Sequence, residues 1–263
     1  MKSWVWIHSL DIPNSRKKKA GERYDVPSEV PLPAPSIVIL TGAGISAESG
    51  LRTFRDGDGL WEQHRLEDVA TPEAFKRDPV LVQRFYNERR RQLATVEPNA
   101  AHHALARLEA AWPGDFLLVT QNVDDLHDRA GSRRLLHMHG ELLKARCLEC
   151  HHVHPWQEDL DYHSCCPACA TLGQLRPHIV WFGELPMGMY EIYEALDRCA
   201  LFLSIGTSGN VYPAAGFVEA VRPSARTLEL NLVMSSVADA FQEHRAGPAS
   251  MTVPELVEEL LAL

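Results

Sequence analysis

Apolar positions along the chain follow two periods. Ile37–Leu40, Phe116–Thr120 and Leu201–Ile205 are apolar at nearly every position, and Thr227–Leu230 is a fourth short candidate strand. Strands that are apolar on both faces belong in a parallel sheet covered on both sides. The segments between them carry apolar residues at helical spacing. Thr71-Pro72-Glu73 reads as a helix start, with Thr71 as N-cap, and Asp78-Pro79 repeats that signal for a helix over about 79–95. Pro98 and Asn99 lead into a third helix, with Ala101, Leu105, Leu108 and Trp112 on one stripe. Val123–Ala130 reads as a short helix stopped by Gly131, Leu135–Met138 as a short strand, and Met189–Ala200 as a helix. Pro254 is expected to open the last helix, with Leu256, Val257, Leu260 and Leu261 facing inward. Residues 144–176 are cysteine-rich and show little period. Strands alternating with helices predict an α/β fold built on a doubly wound, parallel, Rossmann-like sheet.

Composition narrows the picture. A chain of 263 residues can bury one large core, with or without a small insert. Apolar content of 45% and charged content of 23% are ordinary for a globular protein. A net charge of −9 argues against a general nucleic-acid binder. No apolar run is long enough to span a bilayer, and Trp4-Val5-Trp6-Ile7 is too short for a signal-peptide core. The basic run Arg16–Lys19 lies among Asp11, Glu22, Asp25 and Glu29, which does not suit a transit peptide. Pro27, Pro31, Pro33 and Pro35 predict an extended linker, so residues 1–35 are expected to be a flexible arm. Six cysteines, four of them in metal-like spacing, predict a reducing, cytoplasmic location.

The chemistry begins where the first strand ends. Gly42, Gly44 and Ala47 fit G-x-G-x-x-A, the turn that brings backbone N–H groups onto a pyrophosphate at a helix N-terminus. Such a pattern is weak alone, but here a strand precedes it and a helix follows. No ribose-binding acid ends a second strand about 20 residues later. Instead Phe54-Arg55-Asp56 leads into Gly57, Gly59 and Trp61, a loop of charge and aromatics.

Three further groups sit at predicted strand ends. Gln121, Asn122 and Asp124 follow a buried strand, at the carboxyl edge where ligands of open α/β folds bind. Asn122 can also cap the following helix. Gly206-Thr207-Ser208 and Asn231 follow two other strands at the same edge, as either ligand donors or plain turns. His137 and His139 flank Met138 before Gly140; an imidazole suits general-base work, and the residues alone do not choose between the two. Cys147-x2-Cys150-x15-Cys166-x2-Cys169 has ribbon-type zinc spacing. Four thiolates leave no open position, so one structural zinc is expected. Cys165 adjoins the second pair and competes with Cys166, while Cys199 reads as a buried apolar residue.

Taken in order, the glycine turn, Gln121-Asn122-Val123-Asp124, His139-Gly140, the four cysteines, Gly206-Thr207-Ser208 and Glu229-Leu230-Asn231 resemble the sirtuin signature. The resemblance runs from about Ile37 to the C-terminus and is nearest the bacterial CobB-type branch, akin to the eukaryotic desuccinylases. It implies a catalytic domain over 36–263, with a small lobe made of a helical module near 53–97 and a zinc ribbon at 144–176. It also implies removal of acyl groups from protein lysines, with NAD consumed and nicotinamide, acyl-ADP-ribose and free lysine produced. By resemblance His139, Asn122 and Asp124 are catalytic, His139 being the base because it stands directly before the glycine. Gly42, Ala43, Gly44, Ser46, Ala47, Phe54, Arg55, Trp61, Gln121, Val123, Gly206, Thr207, Ser208, Asn231, Leu232 and Ala249 join Asn122 and Asp124 in holding NAD. Ile179–Glu184 resembles the family's peptide clamp through Val180, Trp181, Phe182 and Gly183; read without the family it is a core strand. A monomer acting on acyl-lysine proteins, without nucleic acid or membrane, is expected.

Acyl choice is read from the helix after Pro79. At about 100° per residue, Val82, Phe85, Tyr86, Arg89 and Leu93 share one stripe, with Arg91 opposite and Arg90 on the flank. An arginine on an apolar stripe needs an anionic partner. An internal Asp or Glu, or a stem reaching water, satisfies that need without a ligand. The CobB-like pattern instead has Tyr-x-x-Arg on the carboxylate of succinyl- or malonyl-lysine, matched at Tyr86 and Arg89, with Ala70 making room for a bulky acyl group. Two other classes remain in view. An NAD-dependent oxidoreductase follows from the glycine turn alone, and a non-catalytic binding module would need no base.

Overall fold

The computed structural model of the chain describes residues 35–52, 60–61 by their backbone, and 64–262. The arm through residue 34, and Phe54, Arg55 and the rest of 53–59, lie outside the described residues, as does the side chain of Trp61. In chain order, β1 (Ile37–Thr41) leads into α1 (Ala43–Ala47), then β2 (Leu60–Trp61) and β3 (His64–Arg65) form a short ribbon. α2 (Leu66–Val69), α3 (Pro72–Arg77), α4 (Pro79–Leu93) and α5 (Ala100–Ala111) follow. β4 (Phe116–Thr120), α6 (Leu126–Ala130) and β5 (Leu135–His137) precede an antiparallel set, β6 (Gly140–Cys147), β7 (Val153–Pro155) and β8 (Leu175–Ile179). α7 (Met189–Arg198), β9 (Leu201–Ile205), α8 (Phe217–Ala220), β10 (Arg226–Asn231), β11 (Glu243–Ala246) and α9 (Ala249–Leu261) complete the chain.

The main sheet has the order β11-β10-β9-β1-β4-β5, parallel at every pairing. Counted along the chain within this sheet, that is the 3-2-1-4-5-6 arrangement of the doubly wound dinucleotide fold. The alternation along β1 explains why both faces are covered. Ile37 and Ile39 point into a core with α5 and α9, whereas Val38 and Leu40 point into a second core with α7 and α8. Chain order reverses between β1 and β9, so the crevice of this fold opens at their carboxyl ends.

Local signals fix most boundaries. Thr71 accepts from Ala74 N at 3.0 Å, Asp78 from Leu81 N at 2.9 Å, and Asn99 forms a capping box with His102. Three expectations are corrected. Asn122 caps no helix: α6 begins three residues later than expected, at Leu126, and the Asn122 amide turns back to Gly42 O and Ser46 Oγ. The last helix opens at Ala249, and Pro254 lies inside it. Its first turn is held by Glu48, whose carboxylate accepts from Ser250 N and the Ser250 hydroxyl. Residues 144–176, poor in period, form the expected ribbon, in which β6 pairs with β7 and β8. β11 escaped the pattern because Glu-His-Arg-Ala has no apolar run; it is an edge strand whose charges pair outward, Arg226 with Glu243 and Arg245 with Glu259.

A smaller lobe stands on the carboxyl side of the sheet. Val69, Ala70, Val82, Phe85, Tyr86 and Leu93 of the helices pack with Leu142, Ile179 and Trp181. The ribbon has its own core of only Ala145, Cys147, Leu160, Cys166 and Leu175. Among the described residues no helix is long and apolar enough to cross a membrane.

Candidate active site

Five strand ends meet one cavity. Gly42 follows β1, Gln121 follows β4, His139 lies just past β5, Gly206 follows β9, and Asn231 ends β10. A cavity of about 780 Å³ is lined by every predicted site residue for which a side chain or glycine is described, the cysteines apart. Its floor is a crossing of two glycine turns. Gly44 N donates to Gly206 O at 2.8 Å, and a Cβ on Gly44 would stand 2.7 Å from Gly206 Cα. Gly206 itself has φ +65°, and a Cβ there would meet Ile45 N at 2.4 Å. Glycine is therefore required on both sides of the crossing, because no side chain fits and one backbone is left-handed.

Behind that floor lies a closed polar network. Ser46 Oγ donates to Asp124 Oδ2 at 3.0 Å and accepts from Asn122 Nδ2 at 3.1 Å. Asp124 Oδ1 accepts from Leu126 N. Burial raises the Asp124 carboxyl to about 6 against the bonds from Leu126 and Ser46. His102 lies 3.5 Å from Ser46 Oγ through Nε2, while its Nδ1 accepts from Asn99 N. Burial lowers His102 to about 4, so it is neutral and donates through Nε2. The sequence reading passed over His102. Its one signal was a histidine three residues after the N-cap Asn99, where a helix start usually holds Glu or Gln.

Hydrogen bonding separates the two histidines that the sequence left equal. His137 meets acceptors at both nitrogens, Asn122 O at 3.4 Å from Nδ1 and the Asp128 carboxylate at 3.0 Å from Nε2. Burial opposes its charge, but Asp128, Glu141 and Asn122 O outweigh burial and raise its pKa. A ring with two acceptors is held as a donor. His139 has one such bond, Nδ1–H donating to Gln121 O at 3.1 Å. Burial lowers its pKa, partly offset by that carbonyl. The neutral ring thus keeps a lone pair on Nε2, and His139 lines the cavity while His137 does not.

α4 faces the cavity with Tyr86 and Arg89. Tyr86 is buried, and its hydroxyl accepts from Trp181 Nε1 at 2.9 Å. The Arg89 guanidinium lies 4.9 Å from the Phe85 ring centroid and 3.7 Å from the Glu88 carboxylate. Arg90, expected on the flank, is the helix's buried arginine. It donates to Leu142 O, Asn87 Oδ1 and Glu158 O, tying α4 to β6 and the ribbon. Its pKa falls to about 10, burial outweighing Asp159 and Glu158. Val180 N donates to His139 O and Phe182 N to Ala70 O, so the Ile179–Glu184 segment bridges the two lobes. Trp181 turns inward at 2% exposure and Phe182 outward at 46%, Phe182 lying in the turn that Glu184 N closes on Trp181 O.

The four cysteines converge. Sγ atoms of Cys147, Cys150, Cys166 and Cys169 all lie within 4.8 Å of one another, and the Cys147–Cys169 and Cys150–Cys166 pairs stand at 3.7 Å. Thiolates about 2.3 Å from a tetrahedral ion have sulfurs roughly 3.8 Å apart, so the set fits zinc. Cys165 is outside the cluster and exposed. His154 Nε2 lies 3.6 Å from Cys166 Sγ, a contact to a ligand atom.

Comparison with known proteins agrees with this geometry. The Sir2 family profile matches residues 42–213. An NAD-dependent protein deacylase of Escherichia coli (strain K12) is 60% identical over 230 residues, covering 86% of this chain and 82% of that protein. One from Bdellovibrio bacteriovorus is 60% identical over 228 residues, covering 86% of this chain and 97% of its own. Among solved structures, a Sir2 homolog–NAD complex superposes with a TM-score of 0.79 at 37% identity, over 86% of this chain and 90% of that one. With a profile spanning most of the chain and relatives this similar along most of their own length, the chain belongs to the Sir2 family.

Proposed function

We propose that this Sir2-family chain, an NAD-dependent protein deacylase, removes succinyl and malonyl groups as well as acetyl groups from lysine side chains. The observation that carries the acyl choice is the placement of Tyr86 and Arg89, one helical turn apart, on the wall of the cavity that also holds His139. A guanidinium fork takes a carboxylate at two points, and a phenol adds a third donor. The described contact with Glu88 is weak. Neighbours on a helix do not face one another, and a partly exposed single contact contributes little. Ala70, buried and small, leaves room beside them.

NAD supplies the electrophilic ribose carbon and is consumed. The Gly42–Ala47 turn, Gly206–Ser208, Asn231, Leu232 and Ala249 bind and orient it, and Gln121–Asp124 hold the nicotinamide end. The Ile179–Gly183 segment positions the peptide. His139 Nε2 takes the proton from a ribose hydroxyl, while Gln121 O keeps the ring in the right tautomer. Zinc takes no part in the reaction, since four thiolates leave it no vacant position.

Acetyl-, malonyl- and succinyl-lysine on one peptide backbone, assayed with NAD by mass spectrometry, test the reading. Arg89→Met and Tyr86→Phe should lower the succinyl-to-acetyl ratio of kcat/KM, the pair by about a hundredfold or more. Equal losses on all three substrates would make Arg89 structural.

A further inference from the structure

Trp181 is held from three sides. Its ring lies under the Arg176 guanidinium, 3.4 Å from the centroid. Arg176 is 5% exposed and donates to both Glu184 oxygens, at 2.7 and 3.0 Å, and to Ile179 O at 2.7 Å. Glu184 Oε2 accepts from the Trp181 backbone N at 2.8 Å. On its far side the indole meets Phe75, with ring centroids 5.3 Å apart. An arginine, a carboxylate and a backbone carbonyl thus form a closed bracket around one tryptophan.

The bracket ends on a single directed bond, Trp181 Nε1–H to the Tyr86 hydroxyl oxygen. An indole nitrogen only donates, so the phenol oxygen must accept there. A phenol hydrogen prefers the ring plane, and the position facing the indole is taken. The O–H is therefore directed away from Trp181 and is kept as a donor. Burial raises the Tyr86 pKa above its ordinary value, against Trp181 and Arg176, so the proton is retained at any working pH.

We infer that Trp181, fixed by the Arg176–Glu184 pair, is a positioning residue for acyl choice: it sets the Tyr86 hydroxyl as a donor towards an acidic acyl group. The inference rests on the acidic-acyl reading above and adds to it a residue that need not touch the carboxylate. It also gives the ion pair a purpose beyond holding the segment, because a free indole would let the phenol rotate.

Trp181→Phe tests it, since phenylalanine keeps a ring beneath the guanidinium and loses only the N–H and some volume. The readout is the succinyl-to-acetyl ratio of kcat/KM within one protein sample, which cancels any change in the folded fraction. The ratio should fall about tenfold, the scale of one charge-assisted bond. Tyr86→Phe should lower it similarly, and the double variant should fall no further than Tyr86→Phe alone, because both act through one hydroxyl. Glu184→Gln, which weakens the bracket and leaves the indole in place, should lower the ratio by a smaller factor and serves where Trp181→Phe yields no folded protein. An unchanged ratio in Trp181→Phe, or additive losses in the double variant, overturns the inference while Arg89→Met still tests the acidic-acyl reading. If Tyr86→Phe and Arg89→Met both leave the ratio unchanged, both readings fall together.

Discussion

Two histidines two residues apart differ in what their nitrogens touch. His137 gives both to acceptors, and His139 keeps one. A group whose pKa is lowered by burial stays neutral further into acid, and a base works only when neutral. Catalytic efficiency should therefore fall as pH drops through a value below 6.5, the ordinary imidazole value. An acid limb centred above 6.5 would contradict that assignment. His139→Ala should abolish turnover on acyl peptides while NAD affinity, read by calorimetry, changes only a few-fold; activity that persists until His137 is also removed would move the base to His137. At this scale the sequence was legible in residue types and positions, because strand ends and glycine turns leave local signals. From residue types alone, without the family pattern, which imidazole could accept a proton was not legible. That depends on Asp128, Asn122 and Gln121, which reach the two rings only through the folding of α6 and the β4–α6 turn.

At the scale of elements, α4 shows how a period misleads. The stripe correctly put Val82, Phe85 and Tyr86 inside, all at 1% exposure or less. Arg90 was assigned to the flank because a helical wheel knows only one neighbour, the core. α4 has a second, the ribbon, and Arg90 points there. In Arg90→Met, Leu142 O and Glu158 O would lose the Arg90 bonds, while Asn87 Oδ1 would keep the one from Leu160 N. The loss should be on the order of 3 kcal/mol or more, read as a lower urea midpoint with an unchanged slope. Arg89→Met should shift that midpoint less, since the Arg89 side chain is partly exposed whereas Arg90 is buried. A larger shift for Arg89→Met than for Arg90→Met would reverse the two roles. The parallel strands were legible because burial on both faces forces apolar runs. β6, β7 and β8 were not, because Lys144, Arg146 and Arg176 interrupt the apolar residues of β6 and β8, and β7 has only three residues.

Across the whole molecule the two lobes meet at the cavity, and neither holds the site alone. The ribbon's core contains five buried residues, two of them cysteines, too little apolar area to fold unaided. Structural zinc of this kind contributes about 10–16 kcal/mol in isolated modules. Metal analysis should therefore give one zinc per chain. Cys147→Ser and Cys169→Ser should lose both the metal and soluble yield, whereas Cys165→Ser should keep both; a stable, active protein without zinc would refute the structural role. The doubly wound architecture was legible from the alternation of elements, but the way the lobes share a strand was not. β6 starts at Gly140, the residue after His139, and ends at Cys147. Gly140 has φ +86°, and a Cβ there would come within 2.1 Å of His178 O, so the strand's first residue is seated tightly beside His139. These eight residues, bulged between Glu141 and Ala145, link the neighbourhood of His139 to Cys147 of the four-cysteine cluster. A chelator that strips zinc from the ribbon should therefore loosen the far end of the strand that begins beside His139, and should lower turnover without entering the cavity.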